Sequence, residues 1–200
     1  MIDTIIFDFG GVFINLNHER VEENFRNLGL KTWPDVLKIL NSQYEIGKIS
    51  ELEFLEGIQK HLPKSDLLQI REAWNGIIGE FPLYRLEFLQ KLKLSHKMYL
   101  LSNTDETHIN RFEHQSGLTF ARNFYACFEK IYFSFEIGLK KPDETTFKLI
   151  LNKHNLIPKN TLFVDDKKEN TDAAEKLGIK VWNLQVGKED VVDLFDKKIV

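Results

Sequence analysis

Acidic side chains stand directly after two hydrophobic runs of this sequence, where they could act as a nucleophile and as metal ligands. Asp8 ends the first run, and Asp165 and Asp166 end a later one. A carboxylate at the end of a strand can be a covalent nucleophile, although aspartate is also common as a turn or helix cap. Adjacent acids suit Mg²⁺, a hard cation that takes oxygen ligands, although they also suit a helix N-terminus. Because three neighbouring carboxylates repel one another unless a cation offsets their charge, we interpret them together as a metal site.

Hydrogen-bonding and cationic side chains follow two further segments. Ser102 and Asn103 end another hydrophobic run, and their hydroxyl, amide and backbone N–H groups could bind a phosphoryl oxygen or cap a helix. Lys141 precedes a predicted helix and could neutralise a phosphate or orient a carboxylate as a point charge. The alternative for such a lysine is an exposed surface position, which is our interpretation of Lys140. Asn170 follows the acid pair and is expected to support it by hydrogen bonding, with a helix N-cap as the alternative.

The hydrophobic pattern places these residues at the ends of strands. A short β-branched run predicts a buried strand at residues 4–8, and similar patterns predict strands at 98–101, 130–133, 161–164 and 179–182. Because helical patterns separate these strands, the sequence predicts an α/β fold with a doubly wound parallel sheet, in other words a Rossmann-like core. Ligands bind outside the carboxyl ends of such strands, so the polar residues are expected to converge there.

The segment 16–84 differs from the rest because it has helical periodicity and no convincing strand pattern. A capping box at Ser50–Glu53 begins one predicted helix, and the last predicted helix runs from about Ser65 to Ile77. This pattern predicts a small helical bundle inserted after the first strand. The Rossmann-like core is then discontinuous, with residues 1–15 and 85–200 forming it and the insert forming a helical cap domain.

Composition excludes several classes of protein. The chain has 200 residues, of which 42% are hydrophobic, so it can bury a sizeable core. Its formal net charge is −3 with scattered basic residues, which argues against a nucleic-acid partner. No apolar run approaches the roughly 18 residues of a membrane span, the N-terminus lacks a signal-peptide pattern, and Cys127 has no partner for an intrachain disulfide. We therefore expect a cytoplasmic protein without membrane partners that is a monomer or a weak homodimer.

Taken together, the segments around Asp8, Ser102, Lys141 and Asp165 resemble the haloacid dehalogenase superfamily, specifically its phosphatases with a helical cap after the first motif. The order, spacing and strand-end placement match over nearly the whole chain. The segment Tyr44–Phe54 is also similar to the cap of the glucose-1-phosphatase-like and epoxide-hydrolase-N-terminal-like phosphatases. The resemblance implies a Mg²⁺-dependent phosphomonoesterase that acts on a small phosphorylated metabolite, with a sugar phosphate the favoured class.

The resemblance also implies a role for each site residue. Asp8 would attack phosphorus and form a phosphoaspartyl intermediate. Ser102 and the Asn103 backbone would hold the transferring phosphoryl group, and Lys141 would steady its charge. The protein ligands of Mg²⁺ would be Asp8, the Gly10 backbone carbonyl, Asp166 and, directly or through water, Asp165.

Gly10 departs from the usual pattern of this family, which has at this position an aspartate that acts as general acid and base. The loss of such a group costs about 10²–10⁴-fold in rate, unless water, the substrate or an insert residue such as His18 or Glu45 substitutes. The phosphatase subgroup named above also carries glycine here and includes active enzymes. Two alternatives therefore stay open: a 2-haloacid dehalogenase that uses Asp8 without a metal, and a non-catalytic protein that binds a phosphorylated ligand for regulation.

Overall fold

A parallel sheet of five strands forms the centre of the structure. The structure is a computed structural model that describes residues 2–197. In chain order the strands are β1 (Thr4–Phe7), β2 (Lys97–Ser102), β3 (Lys130–Phe133), β4 (Thr161–Asp165) and β5 (Lys180–Asn183). Their spatial order is β3-β2-β1-β4-β5, with every neighbouring pair parallel. The chain reverses its direction of winding at β1, which opens the ligand-binding crevice of a doubly wound sheet. The predicted fold class is confirmed.

Helices flank the sheet and make up the insert. Between β1 and β2 lie α1 (His18–Leu28), α2 (Asp35–Glu45), α3 (Glu51–Gln59), α4 (Leu67–Asn75) and α5 (Leu83–Leu92). After β2 lie α6 (Glu106–Ser116), α7 (Leu118–Tyr125), α8 (Ser134–Ile137), α9 (Glu144–Lys153) and α10 (Lys168–Lys176), with 3₁₀ turns at Pro158–Asn160 and Val191–Phe195. Within residues 2–197, none of the helices has the length and apolar character needed to cross a membrane.

Helix α7 and the start of α10 differ from the sequence-based expectation. Helix α7 was not predicted, although its buried residues Ala121 and Phe124 have helical spacing, and it has only eight residues. Helix α10 begins at Lys168, so Asn170 lies in its first turn and not at the N-cap considered for it. The backbone N–H of Lys167 donates to the Asp165 carboxylate just before this helix. No side chain caps the helix itself.

Hydrophobic clusters cover both faces of the sheet. On one face the rings of Phe9 and Phe112 lie 5.0 Å apart, and on the other Phe147 and Phe163 lie 5.1 Å apart. Side chains of β1 alternate between the two clusters, and all of its residues are buried. A central strand that is buried on both sides can end in a polar residue only at the edge of the sheet, which places Asp8 there.

The helical insert, by which we mean residues 16–84, has an apolar cluster of its own. Phe25, Tyr44, Phe54 and Ile70 bring together helices α1 to α4 in this cluster. A bridge between Leu16 and Ile78 pairs the chain segments that enter and leave the insert. The separate cluster agrees with the predicted helical bundle, while the boundaries of the two domains stay a prediction.

Arg85 fastens the junction between the insert and the sheet. Its guanidinium donates to the backbone oxygen of Phe13 at 2.9 Å and to Asn15 Oδ1 at 3.0 Å. The same buried group forms an ion pair with Asp190 at 2.8 Å. Arg85 therefore joins the segment after β1 to the turn near the C-terminus and fixes where the insert begins.

Gly47 and Gly138 form a matched pair for testing how tightly the insert meets the core. Their φ angles are +67° and +68°, yet a Cβ at Gly47 would lie 2.1 Å from the Phe135 carbonyl oxygen, whereas one at Gly138 meets no atom within 4 Å. We expect Gly138→Ala to lower the free energy of unfolding by about 1–2 kcal/mol through its backbone conformation. Gly47→Ala should cost about 1–3 kcal/mol more, because the overlap must be relieved. Urea unfolding measures both, and equal costs would contradict the close approach.

Candidate active site

The Lys141 ammonium lies buried between two carboxylates at the carboxyl edge of the sheet. Its Nζ is 2.8 Å from Asp8 Oδ1 and 2.7 Å from Asp165 Oδ2, and its side chain is fully buried. Burial acts to lower the pKa of Lys141, but the charges of Asp165 and Asp8 outweigh it and raise that pKa. The ammonium is therefore charged at neutral pH. A buried charge needs such paired partners, so the two aspartates hold it in place.

Asp8 follows β1 directly and lies beside this ammonium. Its Oδ1 accepts a hydrogen bond from the Phe9 N–H at 2.7 Å, and its own N–H donates to Val164 at 2.9 Å. Burial raises the pKa of the Asp8 carboxyl to about 7, although Lys141 opposes the shift. A further cation near this carboxyl would favour its ionised form, which is the form that attacks as a nucleophile.

Asp165 has its carboxylate oxygens occupied by the protein. The Asn170 amide donates to both of them at 3.0 Å, and the Lys167 N–H donates to Oδ1 at 2.8 Å. With the Lys141 ammonium as a further partner, this carboxylate orients its neighbours rather than presenting an open oxygen. Asn170 makes its bonds from inside the first turn of α10, so it is placed as a hydrogen-bonding support and not as the N-cap of that helix.

Asp166 presents the open carboxylate oxygen of the site. Its Oδ1 is buried and has no hydrogen-bond partner among the residues that the structure describes. Ligand oxygens of Asp8, Asp165 and Asp166 all lie within 4.8 Å of one another. Burial and the charge of Asp165 raise the pKa of Asp166. A divalent cation would both satisfy the open oxygen and offset the repulsion, so these residues fit a metal ion.

Two glycines shortly after Asp8 leave room around these acids. Gly11 has a φ of +72°, and a Cβ there would lie 2.7 Å from Asp166 Oδ2. Only glycine allows this conformation and this close approach without strain. Gly10 lines the open space above the sheet, and the nearest atoms to a Cβ there would be those of the Leu16 side chain, from 3.0 Å.

Ser102 and Asn103 reach the same edge from the end of β2. Ser102 is buried and lines the space next to Gly10. The Asn103 side chain pairs with the backbone of Lys141, donating to its carbonyl oxygen at 2.8 Å and accepting from its N–H at 2.9 Å. The Asn103 side chain therefore positions Lys141. The group of Asn103 that could donate to a bound oxyanion is then its backbone N–H.

A cavity of about 640 Å³ lies between this edge of the sheet and the insert. Its core side includes Ser102 and Asn103. Its insert side includes His18 and Glu45, the two residues considered as replacements for a general acid at Gly10. The apolar part of the insert side is formed by Val21, Phe25, Trp33 and Trp74. The cavity thus joins the carboxyl edge of the sheet, at Gly10, Ser102 and Asn103, to a mixed aromatic and polar wall.

Lys140 is not the exposed surface lysine that we expected from the sequence. Its ammonium lies 2.7 Å from Glu45 Oε2 and 2.9 Å from Ser42 Oγ, which are both on α2. Lys140 therefore connects the loop that carries Lys141 to the insert and fixes Glu45 at the cavity. The interpretation was wrong because the sequence around Lys140 does not indicate which helix packs over it.

Asp105 and His108 also line the cavity, although no sequence motif indicated them as site residues. Asp105 caps α6 by accepting the His108 N–H at 2.9 Å. The available signal was an aspartate three residues before a histidine, after the run that ends at Ser102. Such spacing is typical of ordinary helix N-caps, so it does not by itself indicate a ligand cavity.

Comparison with known proteins identifies the family. Residues 2–178 match the haloacid dehalogenase-like hydrolases. The chain belongs to this family. This match confirms the resemblance seen in the four sequence segments. It also confirms the prediction that the protein is a hydrolase of this superfamily.

Several relatives of this haloacid dehalogenase-like hydrolase match over nearly their whole length. It is 27% identical over 195 residues to the D-ribitol-5-phosphate phosphatase of Bacteroides thetaiotaomicron, covering 94% of this chain and 95% of that one. A HAD family enzyme from the same organism, solved with magnesium and inorganic phosphate, is 33% identical with a TM-score of 0.85, covering 94% and 97%. A predicted HAD-like hydrolase from Porphyromonas gingivalis is 28% identical with a TM-score of 0.86, covering 100% and 99%.

The cation site can be tested with the two neighbouring glycines. We expect Gly11→Ala to weaken Mg²⁺ binding by roughly 10–100-fold, the scale found when groups supporting metal ligands are disturbed, because its Cβ would displace Asp166. Gly10→Ala should change the affinity by less than about threefold, since the end of the flexible Leu16 side chain can move aside. Isothermal titration calorimetry with Mg²⁺ measures both. Equal affinities for the two variants would show that the space beside Asp166 does not matter for the cation.

Proposed function

We propose that this haloacid dehalogenase-like hydrolase is a Mg²⁺-dependent phosphomonoesterase that acts on a small phosphorylated metabolite. The observation that carries the proposal is the buried Lys141 ammonium between Asp8 and Asp165, beside the open oxygen of Asp166. This arrangement supplies a nucleophile, a fixed positive charge and a cation site, which are what phosphoryl transfer requires. Similarity to a D-ribitol-5-phosphate phosphatase over nearly the whole chain supports the same class of reaction.

In this proposal Asp8 is the nucleophile. An oxygen of its carboxylate attacks phosphorus, the bond between phosphorus and the ester oxygen breaks, and a phosphoaspartyl group forms. A water molecule then attacks the same phosphorus, which releases inorganic phosphate and restores the carboxylate. Lys141 lies 2.8 Å from Asp8 and places a fixed positive charge beside the oxygens that gain negative charge. The Ser102 hydroxyl and the Asn103 N–H donate hydrogen bonds to the phosphoryl oxygens.

Mg²⁺ is the cation that we propose for the site. Its protein ligands would be Asp8, the Gly10 carbonyl and Asp166, with Asp165 close by. When bound, it offsets the negative charge of the carboxylates and of the phosphoryl group. The relative solved with magnesium and inorganic phosphate supports this choice. Because Asn170 and Lys141 occupy Asp165, that residue would keep its orienting role while the cation is held.

We also propose that residues 16–84 act as a cap over a core of residues 1–15 and 85–200, and that the cap selects the substrate. The cavity combines the aromatic rings of Trp33 and Trp74 with the polar side chains of Asn41 and Glu45. Such a wall suits a sugar or polyol phosphate, whose hydroxyl groups bind polar side chains while its carbon face packs on rings. The named substrate of the 27% identical relative supports this class. The cytoplasmic location and the monomeric or weakly dimeric state stay predictions.

The structure gives little support to a 2-haloacid dehalogenase. Such an enzyme would need no metal, so the buried, unpartnered oxygen of Asp166 would have no purpose in it. The likeness to an L-2-haloacid dehalogenase from Xanthobacter autotrophicus, at 18% identity and a TM-score of 0.59, concerns the fold alone. A non-catalytic role in binding a phosphorylated ligand depends on Gly10, and the experiments below separate it from catalysis.

Asp8→Asn tests the nucleophile. We expect the variant to lose roughly 10⁴-fold or more of its phosphate release, the scale found for enzyme nucleophiles, while its circular dichroism stays that of the folded protein, since asparagine keeps an oxygen for Lys141 and Asp165 keeps its own pair. The assay uses a panel of small phosphate esters, including hexose 1-phosphates and pentitol 5-phosphates, with Mg²⁺ and then with EDTA.

Asp35→Asn is the matched control for that experiment, because the Asp35 side chain is 89% exposed on α2. It should retain full, Mg²⁺-dependent activity. Equal rates for the two variants in a pure preparation would show that Asp8 is not the nucleophile. Tight ester binding without hydrolysis by the unmodified protein would favour the non-catalytic role.

Gly10 predicts an unusual dependence on the leaving group. Without an acid at this position, we expect aryl phosphates, whose phenolates leave without a proton, to react much faster than alkyl phosphates. Gly10→Asp should raise the rate with alkyl phosphates by about 10²-fold, within the range of general acid catalysis, and change the aryl rate less. Gly10→Asn fills the same space without donating a carboxylic proton and should raise neither rate. Similar aryl and alkyl rates in the unmodified enzyme would instead point to His18, Glu45 or water as the acid.

A further inference from the structure

Trp74, Asp105 and His108 form a buried cluster where the insert meets the core, and we call these three residues the latch. The Trp74 Nε1–H donates to Asp105 Oδ2 at 3.1 Å, and His108 Nδ1 lies 3.0 Å from the same oxygen. On its other side, His108 Nε2 lies 3.2 Å from the backbone oxygen of Trp74. Two of these polar contacts therefore join α4 of the insert to α6 of the core, and the third braces His108 against Asp105 within α6.

The partners of the His108 ring determine its protonation state. A carbonyl oxygen can only accept a hydrogen bond, so Nε2 must carry a proton to bind Trp74. Asp105 Oδ2 already accepts the Trp74 indole N–H, while Oδ1 accepts the His108 backbone N–H. Because a carboxylate can only accept, its oxygen 3.0 Å from Nδ1 favours a proton on Nδ1 as well. Both ring nitrogens are donors only in the imidazolium form, so this geometry points to a positively charged His108.

Stacking and burial agree with a charged ring. The rings of Trp74 and His108 are stacked with centroids 4.9 Å apart and planes 18° from parallel. A cation over the face of an indole is attracted by the negative face of the ring. The exposed fractions of the His108 and Asp105 side chains are 11% and 3%. Because these side chains are nearly inaccessible to water, the ion pair with its hydrogen bonds is more stable than either buried charge would be without its partner.

The charged groups around the latch do not oppose this state. Burial acts to lower the pKa of His108, but Asp105, the Trp74 carbonyl and Glu45 outweigh it and raise that pKa. Three ion pairs lie on the helices packed around the latch, namely Glu45–Lys140, Arg71–Glu51 and Arg111–Glu72. Tyr44 of α2 bonds to Thr107 at 2.6 Å. The remaining titratable residues along the cavity are His18, Glu22, Arg26, Lys31 and Lys167.

We propose that His108 is a positioning residue which, as an imidazolium, fastens α4 to α6 and so holds Trp74 as a wall of the substrate cavity. Both of its ring N–H groups are occupied, so it positions the insert and takes no part in the chemical step. Its effect falls on substrate binding and therefore on KM. The kinetic part of this inference rests on the proposed phosphatase function, whereas the state of the ring does not.

The sign of the pH dependence follows from the raised pKa. A histidine whose pKa is raised by folding stabilises the folded protein fully at pH values below its pKa in the unfolded chain. The stabilisation is lost as the pH rises through its pKa in the folded protein. The latch should therefore be intact below the raised pKa of His108 and open above it. When Nδ1 loses its proton, its lone pair faces the Asp105 carboxylate and the contact becomes repulsive.

Nitrogen NMR tests the state of the ring without any substrate. In the full chain labelled with ¹⁵N, we expect both ring nitrogens of His108 to be protonated at pH 7. The signals are assigned by their absence in His108→Gln. Raising the pH should remove one proton and shift the Trp74 indole signal at the same midpoint. A neutral His108 ring at pH 7 would overturn the proposal, whether or not the protein hydrolyses any ester.

Steady-state kinetics with the best ester of the panel tests the positioning role. We expect His108→Gln to raise KM on the order of tenfold, the effect of losing hydrogen bonds to a charged group, with kcat changed less than about twofold. Its KM should no longer rise with pH over the window in which the KM of the unmodified enzyme rises. His114→Gln is the matched control, because His114 is exposed on the same helix, and it should behave like the unmodified enzyme.

Trp74→Phe is a second variant that keeps the aromatic ring and removes only the indole donor. It should raise KM by a smaller factor and keep the pH dependence, since His108 can still bind Asp105. A loss of kcat with unchanged KM in His108→Gln would contradict a positioning role. So would a KM that rises with pH in His108→Gln as it does in the unmodified enzyme.

Discussion

The buried ion pairs of Lys141 are the interaction on which the rest of the site depends. The lysine lies in the loop between α8 and α9, and its ammonium contacts Asp8 after β1 and Asp165 at the end of β4. Its backbone is held by the Asn103 side chain after β2. Removing an ammonium from water costs several kcal/mol unless its partners are well placed. Ion pairs from β1 and β4 and hydrogen bonds from β2 therefore hold the ends of these three strands around Lys141.

The same interaction explains why the site suits a divalent cation. Asp8, Asp165 and Asp166 carry three negative charges when ionised, and Lys141 offsets one of them. Burial raises the pKa of Asp8 to about 7 and also raises the pKa of Asp166, and the negative charge of the neighbouring Asp165 adds to both shifts. A divalent cation would neutralise the cluster and keep the nucleophile ionised when a phosphate dianion approaches. The cation that would balance these charges would therefore also keep Asp8 in the ionised form that the proposed reaction needs.

The elements with regular sequence patterns could be predicted, and contacts across the fold could not. The strands that end at Asp8, Ser102 and Asp165 follow from short apolar runs, and their parallel order places these residues together. The pairing of Lys140 with Glu45 and the state of His108 depend on how the insert packs over the core. Such contacts join residues that are far apart in sequence, so a local sequence pattern does not predict them.

The insert and the core are held together in a way that suits a cap. The insert has its own apolar cluster, and polar contacts join its helices to the core, including Lys140–Glu45, Tyr44–Thr107 and the latch. At the two ends of the insert, Leu16, Ile77 and Ile78 pack on the apolar cluster of the core. Each neutral polar contact contributes a net stability of only about 0.5–1.5 kcal/mol, since water can replace it when it breaks. Exposed apolar surface has no such replacement. The polar contacts can therefore break for substrate entry while the apolar ends of the insert stay packed on the core, and a charged His108 makes the closed form sensitive to pH.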